Sequence, residues 1–160
     1  MNRKSFFSSI AIALLAIVSM VGLSVVSSVD HMAHAASYTV IHVVEHYNNN
    51  VIIDLGPKGD SMGDLNPFAD PIYDATNKKQ VGYESGSCIR TIVGKLYECN
   101  WTVFLKNGQI SVEGPNYDNR ADSVLAITGG TGIYHNARGE LKAHARNKAA
   151  TVADYVFYLS

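Results

Sequence analysis

The chain has 160 residues, a formal net charge of −1 and neither a charge run nor a basic stripe. The length favours a single domain, and the near-neutral balance argues against nucleic acid or an anionic membrane surface as a partner. Two cysteines and six histidines without metal-ligand spacing give no zinc motif, and no metal site is expected.

In chain order, residues 1–35 read apart from the rest. Arg3 and Lys4 precede an apolar, serine-flecked stretch from Phe6 to Val26, and Ala33-His34-Ala35 supplies the small residues that an export peptidase accepts. Cleavage before Ala36 and a secreted, extracytoplasmic protein free of the membrane are expected. The apolar stretch could also span a bilayer of ~30 Å, so an uncleaved anchor is the alternative. Loss of Arg3, Lys4 and Asp30 with this segment leaves residues 36–160 with a net charge of −2. A domain of this size buries roughly two-thirds of its unfolded surface, enough for a core.

From residue 36 onward the pattern is β throughout. "SYTVIHVVEH" (37–46) is rich in β-branched residues and ends at Asn48-Asn49-Asn50, after which "VIIDL" (51–55) resumes a strand. "GDSMGDLNPFADPIYD" (59–74), punctuated by Gly, Asp and Pro, reads as a long ordered loop entering another strand. "TVFLKNGQISVEG" (102–114) carries Asn107-Gly108 between two strand-like runs, a strong hairpin signal. "SVLAIT", "GELKAHAR" and "ATVADYVFYL" add three more strands. No clean helical period persists, and many short strands with tight turns predict an all-β sandwich or closed barrel.

"AITGGTGIY" (126–134) superficially resembles the glycine turn of a dinucleotide fold. Such a fold needs βαβ units behind its turn, and the third glycine of the fingerprint would fall at His135. The glycines are therefore expected to serve backbone geometry at a barrel corner.

Cys88 and Cys99 flank "IRTIVGKLYE", whose midpoint falls between Val93 and Gly94. A symmetric hairpin turn there sets the cysteines directly opposite one another, at the separation a disulfide needs. Export would supply the oxidising compartment; two buried thiols are the alternative. The nucleophile motif of serine hydrolases is missing. Asp60, Asp64, Asp70 and Asp74 lie in the Gly/Pro-rich segment and read as turn caps, with calcium the less favoured reading. Glu45 stands inside an apolar strand run. Facing inward it would need hydrogen bonds and would hold its proton more tightly, but alternation does not fix its face.

"SMGDLNPFADPIYDATNKKQVGYESGSC" (61–88), "ISVEGP" (110–115) and "LAITGGTGIYHNARGELK" (125–142) together resemble the plant allene oxide cyclases, and "GGTG…ARG" also resembles the dirigent proteins. The resemblance runs over nearly all of residues 38–159. It implies a closed eight-stranded antiparallel barrel with an apolar interior, usually trimeric, that needs no cofactor. Such a barrel holds a reactive small hydrophobic molecule in one conformation and so fixes the stereochemistry of the product.

Carried over position by position, the resemblance implies that Glu45 lies at the pocket floor as the catalytic carboxylate. It also implies that Phe68, Cys88 and Tyr97 line the pocket, joined by Trp101. Asp70 stands where the cyclases have an asparagine, and Asn116 replaces the tyrosine after "GP", with Tyr117 one place later. Tyr47 occupies another asparagine position, and the Ser-Pro pair that follows in the cyclases is missing. Arg138 in "ARG" would either guide a substrate or form a rim ion pair. Two functional classes remain: a cyclase or stereochemical guide, and a non-catalytic lipocalin-like carrier of a hydrophobic ligand.

Overall fold

The computed structural model describes residues 38–48 and 51–160. The expected export segment, and most of the Asn48-Asn49-Asn50 turn, lie outside the described residues. Eight strands form a closed antiparallel barrel in simple sequence order: β1 (Thr39–His46), β2 (Leu65–Asp74), β3 (Gln80–Ile92), β4 (Leu96–Leu105), β5 (Gly108–Tyr117), β6 (Ser123–Gly130), β7 (Gly139–Ala145) and β8 (Val152–Leu159). A single 3-10 turn, Gly132–Tyr134, joins β6 to β7. Closure pairs β1 with β8 over eight rungs, from Thr39↔Leu159 to His46↔Val152. Closure also removes the exposed sheet edges on which other chains could pair.

The β4–β5 hairpin forms at the predicted place, but Leu105 pairs with Gly108, so the turn is Lys106-Asn107, one residue before Asn107-Gly108. Gly108 has φ +155°, and a Cβ there would overlap the Thr131 carbonyl. Gly132, at φ +61°, lies against Asn107 in the same way. The glycines of "GGTG" thus let the β6–β7 corner nest under the neighbouring hairpin, as a structural role requires.

Two boundaries differ from the sequence reading. "VIIDL" is not a strand; it contributes one bridge, Ile53↔Leu65. "LNPFADPIYD", expected to be mostly loop, is all of β2. Its prolines are tolerated because β2 pairs with β1 over only three rungs, Val43↔Asp74 to Glu45↔Ile72, so Pro67 and Pro71 need donate no ladder bond on that side.

The barrel interior divides along its axis. At the end carrying the β6–β7 turn it is filled by Val103, Ile110, Ile127, Leu141 and Phe157, with Ile72 from β2. Each such side chain contributes about 1.5–3 kcal/mol by burial. At the other end, where β1 leaves β2 after His46, the interior is hollow. The hairpin between β3 and β4 closes there with Cys88 directly opposite Cys99, and the two form a disulfide.

Candidate functional site

The inward-facing positions of β3 and β4 meet in four consecutive pairs: Glu84↔Val103, Gly86↔Trp101, Cys88↔Cys99 and Arg90↔Tyr97. Glycine at 86 is required because a Cβ would overlap the backbone of Trp101. This close approach lets the indole reach into the hollow end of the barrel. There it meets Phe68 of β2 edge-on, with ring centroids 6.0 Å apart, and Tyr155 of β8 at 5.8 Å. The result is a cavity of about 260 Å³ whose walls include Phe68, Tyr97, Trp101, Asn116 and Tyr117. Alanines of β7, β8 and their turn, Ala143, Ala145, Ala149, Ala150 and Ala153, line it as well and leave room for a ligand.

The floor is acidic. Glu45, Asp70 and Glu84, all buried, place their carboxylate oxygens within 4.8 Å of one another. Three carboxylates in so small an apolar volume repel one another, and the cluster keeps protons that water-exposed acids would lose. Burial, reinforced by the Asp70 charge, pushes Glu45 up from an ordinary value of 4.5 to about 8. Burial first, and then the Glu45 and Asp70 charges, raise Glu84 well above its usual range. The Tyr155 phenol donates to Oε1 of Glu84 at 3.3 Å. Burial and the neighbouring carboxylates hold that phenol in its protonated form.

Asp70 accepts the Asn48 N–H at 2.8 Å, spanning the gap that opens where β1 and β2 diverge. In the same gap Asn66 Nδ2 donates to the Tyr47 hydroxyl at 3.0 Å, and both residues line the cavity. Oε2 of Glu84 and Nε1 of Trp101 are buried without a hydrogen-bond partner among the described residues. Both residues line the cavity, so a bound molecule could meet one acid and one N–H donor. The cluster can also take a hard divalent cation, since all of its donors are oxygen.

Most residues named from the sequence come together here. Glu45 faces the interior, and with Phe68, Cys88, Tyr97, Trp101, Asn116 and Tyr117 it lines the cavity. Asp70 lies beneath, in the acid cluster, and does not cap a turn; Asp64 and Asp74 do cap turns, and Asp60 pairs with Arg90. Arg138 is a correction. It sits beside the 3-10 turn at the filled end of the barrel, where its Nη1 donates to the Ala137 carbonyl at 2.7 Å. It is not among the residues that line the cavity.

Glu84 and Tyr155 were not foreseen. The signal for Glu84 lies in Gly82 and Gly86, which share its face and mark a wall too cramped for other side chains.

A closed eight-stranded antiparallel barrel of this kind is the allene oxide cyclase and dirigent-like fold. The chain is a member of the allene oxide cyclase family, whose model matches residues 33–160. Pyocyanin demethylase is similar over 76% of this chain and 100% of that one, at 29% identity and a TM-score of 0.67. A pterocarpan synthase dirigent protein matches over 78% of this chain and 95% of that one, at 19% identity and a TM-score of 0.64. An exo-specific intermolecular Diels-Alderase matches over 77% and 98%, at 16% identity and a TM-score of 0.57. At these last two identities the likeness is one of fold.

Proposed function

We propose that this protein is an exported barrel that binds a compact, conjugated, largely hydrophobic molecule and either rearranges it by proton transfer, as in a cyclisation or isomerisation, or steers its coupling to a second molecule. One observation carries the reading: Glu45, Asp70 and Glu84 share a buried volume under an aromatic cavity. A simple carrier of apolar molecules gains nothing from three desolvated acids, each of which is costly to bury. A cluster that is partly protonated near neutral pH offers an acid and a base side by side. One carboxyl can give a proton to one atom of the ligand while a carboxylate takes one from another, with no net change in the protein. The flanking walls hold the ligand in one conformation, and such orientation contributes up to ~7–11 kcal/mol in favourable cases.

The cavity size suits two or three fused rings, since about 260 Å³ lies at the lower edge of the roughly 300–1,000 Å³ typical of ligand pockets. Aromatic walls favour a flat ring system, and the acids favour one that carries positive charge. The names of the similar proteins support the same class. Pyocyanin demethylase acts, by its name, on pyocyanin, a flat tricyclic heteroaromatic, and the others are named for building rings or for dirigent activity.

Pyocyanin is therefore the first probe. The protein should bind it, quenching Trp101, the sole tryptophan of the chain. E84Q should retain binding and lose the exchange of ring C–H protons for deuterium that a neighbouring acid and base catalyse in D2O. Retained binding without any such exchange in the unsubstituted protein would favour the carrier, and failure to bind would overturn the ligand class.

A further inference from the structure

Arg90 is the last inward-facing residue of β3, and the chemistry above makes no use of it. It is buried, and its guanidinium is held from three directions. Nε lies 2.7 Å from Oδ1 of Asp60, Nη1 donates to both Asp118 oxygens at 2.8 Å, and Cζ stands 3.7 Å from the centre of the Tyr97 ring. These anchors come from different parts of the chain. Asp60 belongs to the segment between β1 and β2, Asp118 follows β5, and Tyr97 faces Arg90 across the β3–β4 ladder.

The backbone completes the arrangement. Arg90 N–H donates to the Asp64 carbonyl at 2.8 Å, and its own carbonyl accepts the Gly63 N–H at 2.9 Å. Asp60 also accepts the Gly94 N–H of the β3–β4 turn at 2.8 Å.

Tyr97 and Asp118 are both walls of the main cavity. Tyr97 also lines a second recess with Arg90, Asp60 and Asp64, so its ring is the partition between the two spaces. Only a guanidinium serves all three partners, because it stacks flat on an aromatic ring while its edge reaches carboxylates. A lysine ammonium at this position could pair with an acid but could not stack in the same plane. The two aspartates balance a charge that would otherwise be costly to bury.

We infer that Arg90 is a positioning residue for the mouth of the cavity. It fixes the Tyr97 ring and the Asp118 turn in one arrangement, and so governs entry to and retention in the hollow end without touching the ligand. The inference concerns access alone and stands whichever reaction proceeds inside.

Trp101 lines the cavity, so its quenching by acrylamide reports opening of the mouth without any ligand. In the full-length protein, under conditions where circular dichroism shows a native fold, R90Q should raise the quenching constant by about twofold or more, as local opening exposes a buried side chain. R90K, which keeps the charge but not the plane, should also raise it. Y97A should raise it alone, and R90Q added to Y97A should raise it by less than R90Q does in the wild-type background. Wild-type quenching in folded R90Q would overturn the inference, as would an equal increment in the Y97A background. Should R90Q not fold, D118N removes one of the three holds and is expected to give a smaller rise; unchanged quenching there would also overturn it.

Discussion

The phenol of Tyr155 on β8 reaches across the barrel interior to Glu84 on β3, 71 residues away in sequence, and donates to its carboxylate at 3.3 Å. This hydrogen bond opposes the upward pull that burial and neighbouring charges exert on Glu84. Y155F should therefore leave Glu84 protonated more often, at a stability cost of about 1 kcal/mol for one buried hydrogen bond. Pyocyanin affinity should change little, whereas the rate of ring C–H exchange in D2O should fall. Urea unfolding and exchange kinetics on the same variant check both parts, and an exchange rate equal to wild type would mean that the Tyr155 hydrogen bond does not tune Glu84.

Stability should fall as pH rises from the ordinary carboxylate range towards pH 8. Folding holds the Glu45 proton up to about 8, whereas the unfolded chain releases it near 4.5, so the folded state binds more protons throughout that window. The contribution is fully present below 4.5 and is lost as pH climbs through about 8, with a slope of at most about 1.4 kcal/mol per pH unit. E45Q should flatten this slope in urea titrations. Asp154 works in the opposite sense: hydrogen bonds from Arg146 and His42 hold it down at about 2, so its contribution is present above 3.8 and is lost in acid. A stability profile for E45Q as steep as that of wild type would show that Glu45 is not the group responsible.

The Cys88–Cys99 bridge closes a short loop with a sequence separation of 11. The chain-entropy estimate for a loop of about 15 residues is ~3 kcal/mol. A C88A/C99A double variant should lose about 2–4 kcal/mol against urea. The unsubstituted protein should lose a similar amount in reductant, while the double variant becomes indifferent to reductant. Alkylation of the protein without reductant, read by mass, should leave both cysteines unmodified.

G86A tests the close approach of β3 and β4. The added methyl has no space against the Trp101 backbone, so the strands must part. A loss of about 1–3 kcal/mol, the usual cost of overpacking, should accompany a shift in Trp101 emission. Wild-type emission and stability would mean that the backbone relaxes freely there.

Local features were the legible ones. The β4–β5 hairpin and the Cys88–Cys99 pairing depend on residues close in sequence; the cysteines pair at the expected register, and the hairpin turn falls one place early, at Lys106-Asn107. The β2 segment reads as mostly loop in the sequence because Asp and Pro are turn residues in isolation; the short β1–β2 ladder explains why a strand can hold them. Glu84 was hidden by inverted polarity. Its neighbour Tyr83 is half-exposed and stacks on Phe104 outside the barrel at 4.5 Å, while the carboxylate points in. Apolar-in, polar-out alternation assigns these two residues to the wrong faces. The acid cluster and the Arg90 hold each join residues from separate strands and loops, and no local pattern marks such meetings. Arg138 was misplaced for the complementary reason, since a matching tripeptide does not say at which end of the barrel its turn lies.

The filled half of the barrel has a kinetic consequence. With Phe157, Leu141 and Ile110 filling one end, a molecule held in the hollow exchanges with solvent through the other half of the barrel. Under the proposed function, substrate and product would occupy the same chamber in turn, so product inhibition is expected to be competitive.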